Sequence, residues 1–346
     1  MNAALEAFIR AMPKVELHVH LEGSIQPETL LQLAQRNGIH LPYTTLEGLR
    51  QWYVFRDFTH FVEIYVAISK CIRTADDIEL IAREFLASQA AQNITHSEVT
   101  FTAYTIFTLS GIPFADQLAA IQRARAWAQT TLGVNMTLTL DIAREVKPEQ
   151  GMVTAEWAIA AHDNGVSALG LGGYEVGNPP EKFTAAFQRA RAANLPTVPH
   201  AGETEGPASI WGALRKLGAA RIGHGVRAIE DPMLLAYLRA RQIPLEVCPT
   251  SNVRLGVAAS IAQHPIQKLL DAGIYVTLNS DDPPMFNTTL TDEYLTCAEA
   301  FGWDAALCEK LALNALRASF LPRAQKTEME RAFRAVAAQL RQEFNL

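Results

Sequence analysis

An α/β chain folded as a (β/α)8 barrel of the TIM type, with additional helices, is what the sequence predicts, and three observations carry it. Eight short apolar segments alternate with helical ones from about residue 15 to 280. The segments between them have lengths suited to right-handed crossovers joining parallel strands. Chemically reactive residues gather at the strand ends, the rim where such barrels keep their catalytic groups. Beyond about residue 290 only helical patterns follow, to about 344, and these flank the barrel. A doubly wound open sheet is the competitor, but it more often displays a phosphate loop. Gly170-Leu171-Gly172-Gly173-Tyr174-Glu175 resembles one only loosely, because Glu175 stands where the last glycine of G-x-G-x-x-G belongs. With no linker rich in Pro, Gly or Ser and no internal repeat, residues 1–346 read as a single domain.

Taken in order, the chain opens with Pro13 to Ser24, a short strand running out at Glu22-Gly23. Residues i and i+2 of a strand share a face, so His18 and His20 point the same way. Pro27 starts a helix with Leu30, Leu31, Leu33 and Ala34 as its buried stripe, ending at Asn37-Gly38. The stretch 43–61 is aromatic and irregular (Trp52, Tyr53, Phe55, Phe58, Phe61), either a helix packed on the body of the fold or an apolar wall over a pocket. Thr74-x-x-Asp77 resembles a capping box and opens a helix carrying Ile78, Ile81 and Phe85. Strands follow at 94–102, 134–141, 166–171, 196–200, 220–224, 244–248 and 274–279. Helices separate them, at 114–131, 150–164, after Asn178-Pro179-Pro180-Glu181, at 207–217, after Asp231-Pro232 and at 264–272.

Composition narrows the function. With 49% hydrophobic and 19% charged residues the chain can bury a large core. A net charge of −6 with no long Lys/Arg cluster argues against nucleic acid and anionic membrane as partners, leaving a small molecule. The cysteines Cys71, Cys248, Cys297 and Cys308 show no C-x-x-C spacing and no tight cluster, so neither a disulfide framework nor a thiolate zinc site is suggested. No apolar run of about 18 residues and no signal-type N-terminus is present, so a cytoplasmic location is expected. Oligomeric state is not legible.

The strand ends hold the chemistry. Strand 1 ends in His18 and His20, strand 5 in His200-Ala201-Gly202-Glu203, strand 6 in Gly223-His224-Gly225, and strand 8 in Asn279-Ser280-Asp281-Asp282-Pro283. Imidazoles and a carboxylate on one rim are ligands for Zn²⁺ or a similar ion, which lowers the pKa of a bound water to about 7. His18, His20, His200 and Asp281 supply that set, leaving Glu203 and His224 for proton transfer and for orienting the water. His40, His60, His96, His162 and His264 lie at the other rim, in loops or near helix ends, and read as structural or exposed.

Val15-Glu16-Leu17-His18-Val19-His20-Leu21-Glu22-Gly23-Ser24, His200-Ala201-Gly202-Glu203, Arg221-Ile222-Gly223-His224-Gly225 and Asn279-Ser280-Asp281-Asp282-Pro283 together resemble the signature motifs of the adenosine and adenine deaminase family, within the amidohydrolase superfamily. The resemblance runs from about residue 12 to 320. It implies hydrolytic deamination of a 6-aminopurine with one zinc ion per chain, held by His18, His20, His200 and Asp281. It further implies that Glu203 protonates N1, that His224 holds the attacking hydroxide, and that Asp281 takes the water's proton. Gly173 would meet N3 and Asp282 would face N7. Because N7 is an acceptor, Asp282 must carry a proton, while Glu203 needs a raised pKa and Asp281 a low one. The H-x-E with P-C-x-x-C signature of the cytidine-deaminase type is absent.

Three departures bear on the substrate. Glu22 stands where adenosine deaminases usually carry the Asp that contacts the ribose 5′-hydroxyl, Tyr174 replaces another Asp, and Thr100 an arginine. With Val198-Pro199-His200 and Asp282-Pro283-Pro284-Met285-Phe286, these look like a bacterial subgroup that includes deaminases of modified adenosines such as aminodeoxyfutalosine. The expected reaction is adenosine to inosine plus ammonia. The alternatives are adenine or a modified adenosine as substrate, then a non-deaminating amidohydrolase or an inactive purine-binding protein. Glu22, Gly173, Asp282, Phe55, Phe58 and Phe61 are the expected substrate contacts.

Overall fold

The computed structural model describes residues 1–346, and its eight strands lie side by side in chain order, every pair parallel. They are β1 (Lys14–His20), β2 (Ile94–Phe101), β3 (Asn135–Ala143), β4 (Val166–Gly172), β5 (Thr197–Ala201), β6 (Ile222–His224), β7 (Leu245–Val247) and β8 (Val276–Leu278). Each expected strand is present. The last three are shorter than the apolar runs suggested, although flanking residues still pair at single points, as Leu245 N does with Tyr275 O and Asn279 N with Val247 O.

The ring closes between β8 and β1 by an unusual route. The register of β1 against β2 slips between Glu16 and Val19. At this bulge the N–H groups of Leu17 and His18 both donate to the side-chain oxygen of Asn279, at 2.9 and 3.1 Å. Two residues on, the backbone of Asp281 bridges β1: His20 N donates to Asp281 O (2.9 Å) and Asp281 N to His18 O (3.1 Å). A side chain thus supplies the acceptor that a regular ladder would have supplied, and buried N–H groups require one.

Helices wrap the ring. The expected capping box forms, with Thr74 accepting from Asp77 N and Asp77 from Thr74 N, and opens Ala75–Ala91. Val15 and Leu17 of β1 pack on Leu313, Leu316, Leu321 and Phe333 of the two final helices, Ala305–Ala318 and Arg323–Phe344, and the turn between them. Burial of each such side chain contributes roughly 1.5–3 kcal/mol. The aromatic stretch resolves into Leu46–Trp52 and Phe58–Ser69, the second capped by Asp57. Leu5, Phe8 and Ile9 lie on one face of a short N-terminal helix, Ala3–Ala11. No helix is long and apolar enough to cross a membrane.

Candidate active site

The four expected ligands converge. Ligand atoms of His18, His20, His200 and Asp281 all lie within 4.8 Å of one another. His20 Nε2 is 3.3 Å from His200 Nε2 and 3.3 Å from Asp281 Oδ1, and His18 Nε2 is 3.4 Å from the same oxygen. His18 Nδ1 sits 3.0 Å from Glu246 Oε2. That carboxylate holds the ring proton on Nδ1 and leaves the Nε2 lone pair aimed at a carboxylate oxygen. The buried Nε2 has no hydrogen-bond partner, and a lone pair facing an anion is repulsive unless a proton or a metal cation lies between them. The residues therefore fit a divalent ion, with Glu246 orienting one ligand from behind. The local field agrees. Burial works against charge on both rings, yet Asp281 and Glu246 lift His18 to about 10, and Asp282 and Asp281 lift His20 to about 9.

Backbone geometry aims two of these groups. Asp281 and His224 are held at φ 66° and 58°, left-handed values that cost a non-glycine residue on the order of 1–3 kcal/mol. Asp281 is fixed there by its bridge to β1, and Ser251 Oγ donates to its Oδ2 at 2.6 Å. His224 Nε2 faces Glu203 Oε1 at 3.6 Å and Asp281 Oδ2 at 3.8 Å. Burial pushes its pKa down to about 3, so the ring is neutral.

Glu203 and Asp281 have opposite electrostatics, as the expected chemistry demands. Burial, then the charges of Asp281 and Glu175, push the Glu203 carboxyl well above its ordinary range. Asp281 is also penalised by burial, but its bonds to His18 and His20 take it well below. The Glu203 loop is tied down by a residue the sequence reading assigned only a place in a failed loop motif. Glu175 accepts from the N–H groups of Gly202, Glu203, Thr204 and Glu205, at 2.6 to 3.1 Å, and from Ser209 Oγ at 2.5 Å. Arg144 donates to the carbonyl of His200 at 2.6 Å.

A cavity opens above the ligands. Its wall includes Gly173, Asp282, Phe58, Phe61 and Tyr65, together with Glu203 and His224. Asp282 is buried and its Oδ1 has no partner; burial, then Asp281, raise its pKa well above the usual range. Its carboxyl is thus biased toward the protonated form, which can donate. Gly23 makes room for it, since a Cβ there would overlap Asp282 Oδ1. Two expected contacts lie elsewhere. Glu22 is absent from the wall because its oxygens accept from Thr102 N (2.9 Å) and Tyr65 OH (3.2 Å). Phe55 packs behind it, edge to face with Phe61 and Phe286.

Asp141 of β3 also lines the cavity, and sequence reasoning missed it. It is buried, and burial raises its pKa to about 7 against the opposing pull of His20 and His18. A Cβ at Gly170 or Gly172 would overlap its carboxylate oxygens. The alternate glycines that looked like a poor phosphate loop are the space this carboxyl occupies, and that spacing was the available signal.

Comparison with known proteins places this geometry in context. The family model described as adenosine deaminase matches residues 13–335. Among curated relatives, the adenine deaminase of Cupriavidus necator is 42% identical over 95% of this chain and 93% of its own length. The aminodeoxyfutalosine deaminase of Streptomyces coelicolor is 41% identical over 92% of this chain and 82% of its own. Among solved structures, an amidohydrolase from Burkholderia ambifaria with bound Zn superposes with a TM-score of 0.92 at 28% identity, covering 100% of this chain and 96% of that one.

Proposed function

The chain belongs to the adenosine deaminase family, and we propose that its substrate is a 6-aminopurine without a phosphate, hydrolysed to the 6-oxopurine and ammonia. The observation that carries this reading is one cavity holding a cation-binding set, a neutral acid at Glu203 and a second neutral acid at Asp282. One zinc or similar divalent ion on His18, His20, His200 and Asp281 would supply a water acidic enough to attack at neutral pH.

The residues do the rest. Attack at C6 breaks ring aromaticity and drives charge onto N1, where Glu203 donates its proton; that bond strengthens in the transition state more than in the ground state. His224 holds the attacking oxygen through Nε2, and ionised Asp281 accepts its proton and passes it to the 6-amino group. The C6–N bond then breaks to release ammonia as the C6 hydroxyl proton returns to Glu203. Asp282 donates to N7 and the Gly173 amide to N3, which orients the ring.

The substrate class follows from the wall. Asp141, Glu145, Glu203, Asp281 and Asp282 line the cavity, and no lysine or arginine does. A phosphate there would meet ionised Asp281 and find no lysine or arginine to pair with. Within the remaining class, Glu22 is turned onto Thr102 and Tyr65 and offers a ribose no carboxylate. Adenine and aminodeoxyfutalosine, the alternatives to adenosine, are also the activities named for the two relatives, and we place them ahead of it. Absorbance and ammonia release on adenine, adenosine, aminodeoxyfutalosine and AMP in parallel test this. Turnover of a non-phosphorylated purine with AMP poorest is expected. Silence on all four would turn the reading toward another amidohydrolase or a binding protein, and preference for AMP would sink the phosphate argument.

A further inference from the structure

His264, expected to be merely structural or exposed, is buried at the end of a chain of hydrogen bonds that reaches His224. The direction of every proton in that chain can be read. Ile266 N lies 3.1 Å from His264 Nδ1. A backbone N–H can only donate, so Nδ1 is the acceptor and the neutral ring carries its proton on Nε2. His264 Nε2 is 3.0 Å from the side-chain oxygen of Asn252, and its N–H donates there. The opposite orientation of the amide would set N–H against N–H. With its oxygen so engaged, Asn252 presents its NH2 group to His224 Nδ1 at 3.3 Å. An amide nitrogen also only donates. His224 Nδ1 is therefore bare, and the proton of His224 is on Nε2, the nitrogen facing Glu203 and Asp281.

We infer that Asn252 and His264 are positioning residues which lock His224 in its Nε2–H tautomer, so that it meets the attacking oxygen as a donor. The inference rests on the role given to His224 above. The other tautomer would turn a lone pair toward an oxygen whose own lone pairs must be held, and toward the ionised Asp281. All three side chains are buried, so no solvent proton relieves a wrong choice. The left-handed backbone at His224 fixes where the ring lies, and this chain fixes what it offers. In a catalytic triad a wrong histidine tautomer alone costs about 10⁴ in kcat.

The test uses the zinc-loaded enzyme. Asn252→Asp keeps the shape but can only accept, so it draws the His224 proton to Nδ1. On whichever 6-aminopurine is turned over, kcat should fall about 10²- to 10⁴-fold, with KM within a few-fold and zinc content unchanged. His264→Gln, which keeps a donor for Asn252, should retain most of the activity that His264→Leu loses. Long-range ¹H–¹⁵N correlation spectra of the labelled protein read the tautomer directly and without substrate. Wild type should show the His224 proton on Nε2 and Asn252→Asp on Nδ1. A wild-type proton on Nδ1, or an Asn252→Asp enzyme with unchanged tautomer and kcat, would overturn the inference. Should the substrate assignment fail, the spectrum still decides the tautomer; should the variant not fold, the wild-type spectrum decides it alone.

Discussion

Glu203 and Asp281 lie on one rim and are driven in opposite directions, the first kept protonated by burial and neighbouring anions, the second kept ionised by two imidazoles. Glu203→Gln should lower kcat by roughly 10²- to 10⁴-fold, the scale of general acid catalysis, with zinc retained by elemental analysis. The sign of the pH dependence follows. The acid must be protonated to act, so wild-type kcat falls as pH rises through the raised Glu203 pKa, and the Glu203→Gln enzyme has no such limb. Gly23→Ala tests Asp282 from the other side. The backbone at Gly23 tolerates a side chain, but a Cβ would displace the Asp282 carboxyl. A displacement near 1 Å at a reacting centre costs about 10²-fold, so kcat should drop by that order with an unchanged circular dichroism spectrum.

At the scale of elements, the β8–β1 seam rests on one side chain. Asn279→Ala would leave the buried N–H groups of Leu17 and His18 without an acceptor, at about 1–3 kcal/mol each. Urea unfolding should show a loss of about 2–6 kcal/mol. This seam also marks where the sequence stopped being legible. Strands and strand-end histidines could be read because apolar runs, turn residues and reactive side chains each leave a local pattern. The bulge at Leu17 and the Asn279 acceptor leave none, since both arise from residues far apart in the chain. Asp141 lies inside an apolar strand and Tyr65 inside an apolar helix, where periodicity reports burial and not the cavity beyond it. Glu22 was legible as an odd residue, but its partners Thr102 and Tyr65 could be known only from the fold.

Across the whole molecule, Arg221 gathers distant parts onto the candidate metal site. It donates to Glu98 Oε2 of β2 (2.6 Å), to Glu246 Oε1 of β7 (2.5 Å) and to Ala318 O (2.8 Å), with its guanidinium carbon 3.9 Å from the Phe320 ring centroid. The other oxygen of Glu246 holds His18. Arg221→Met strands two buried carboxylates and should cost about 3–5 kcal/mol of stability; weaker zinc retention under a chelator is expected alongside, through Glu246. A second effect is felt by the fold alone. Lys14, buried with only the carbonyls of Met12 and Gln92 as partners, has its pKa lowered from 10.5 to about 7, by burial first and then by Arg10. Between those values the unfolded chain holds a proton that the folded one does not, so stability rises with pH from about 7 to 10.5. Lys14→Met should flatten that part of the stability–pH curve in denaturant titrations.

The seam has a kinetic corollary. Leu17 and Asn279 are 262 positions apart, so the contact between them carries a large loop-closure cost, and we expect it to form late in folding. The proposed ligands His18 and His20 come from one lip of the seam and Asp281 from the other. An ion seated across it is a clasp fastened after the rate-limiting step. Zinc should therefore slow the unfolding arm of a chevron plot while leaving the folding arm in place, and metal supply would govern how long each molecule lasts, not how fast it is made.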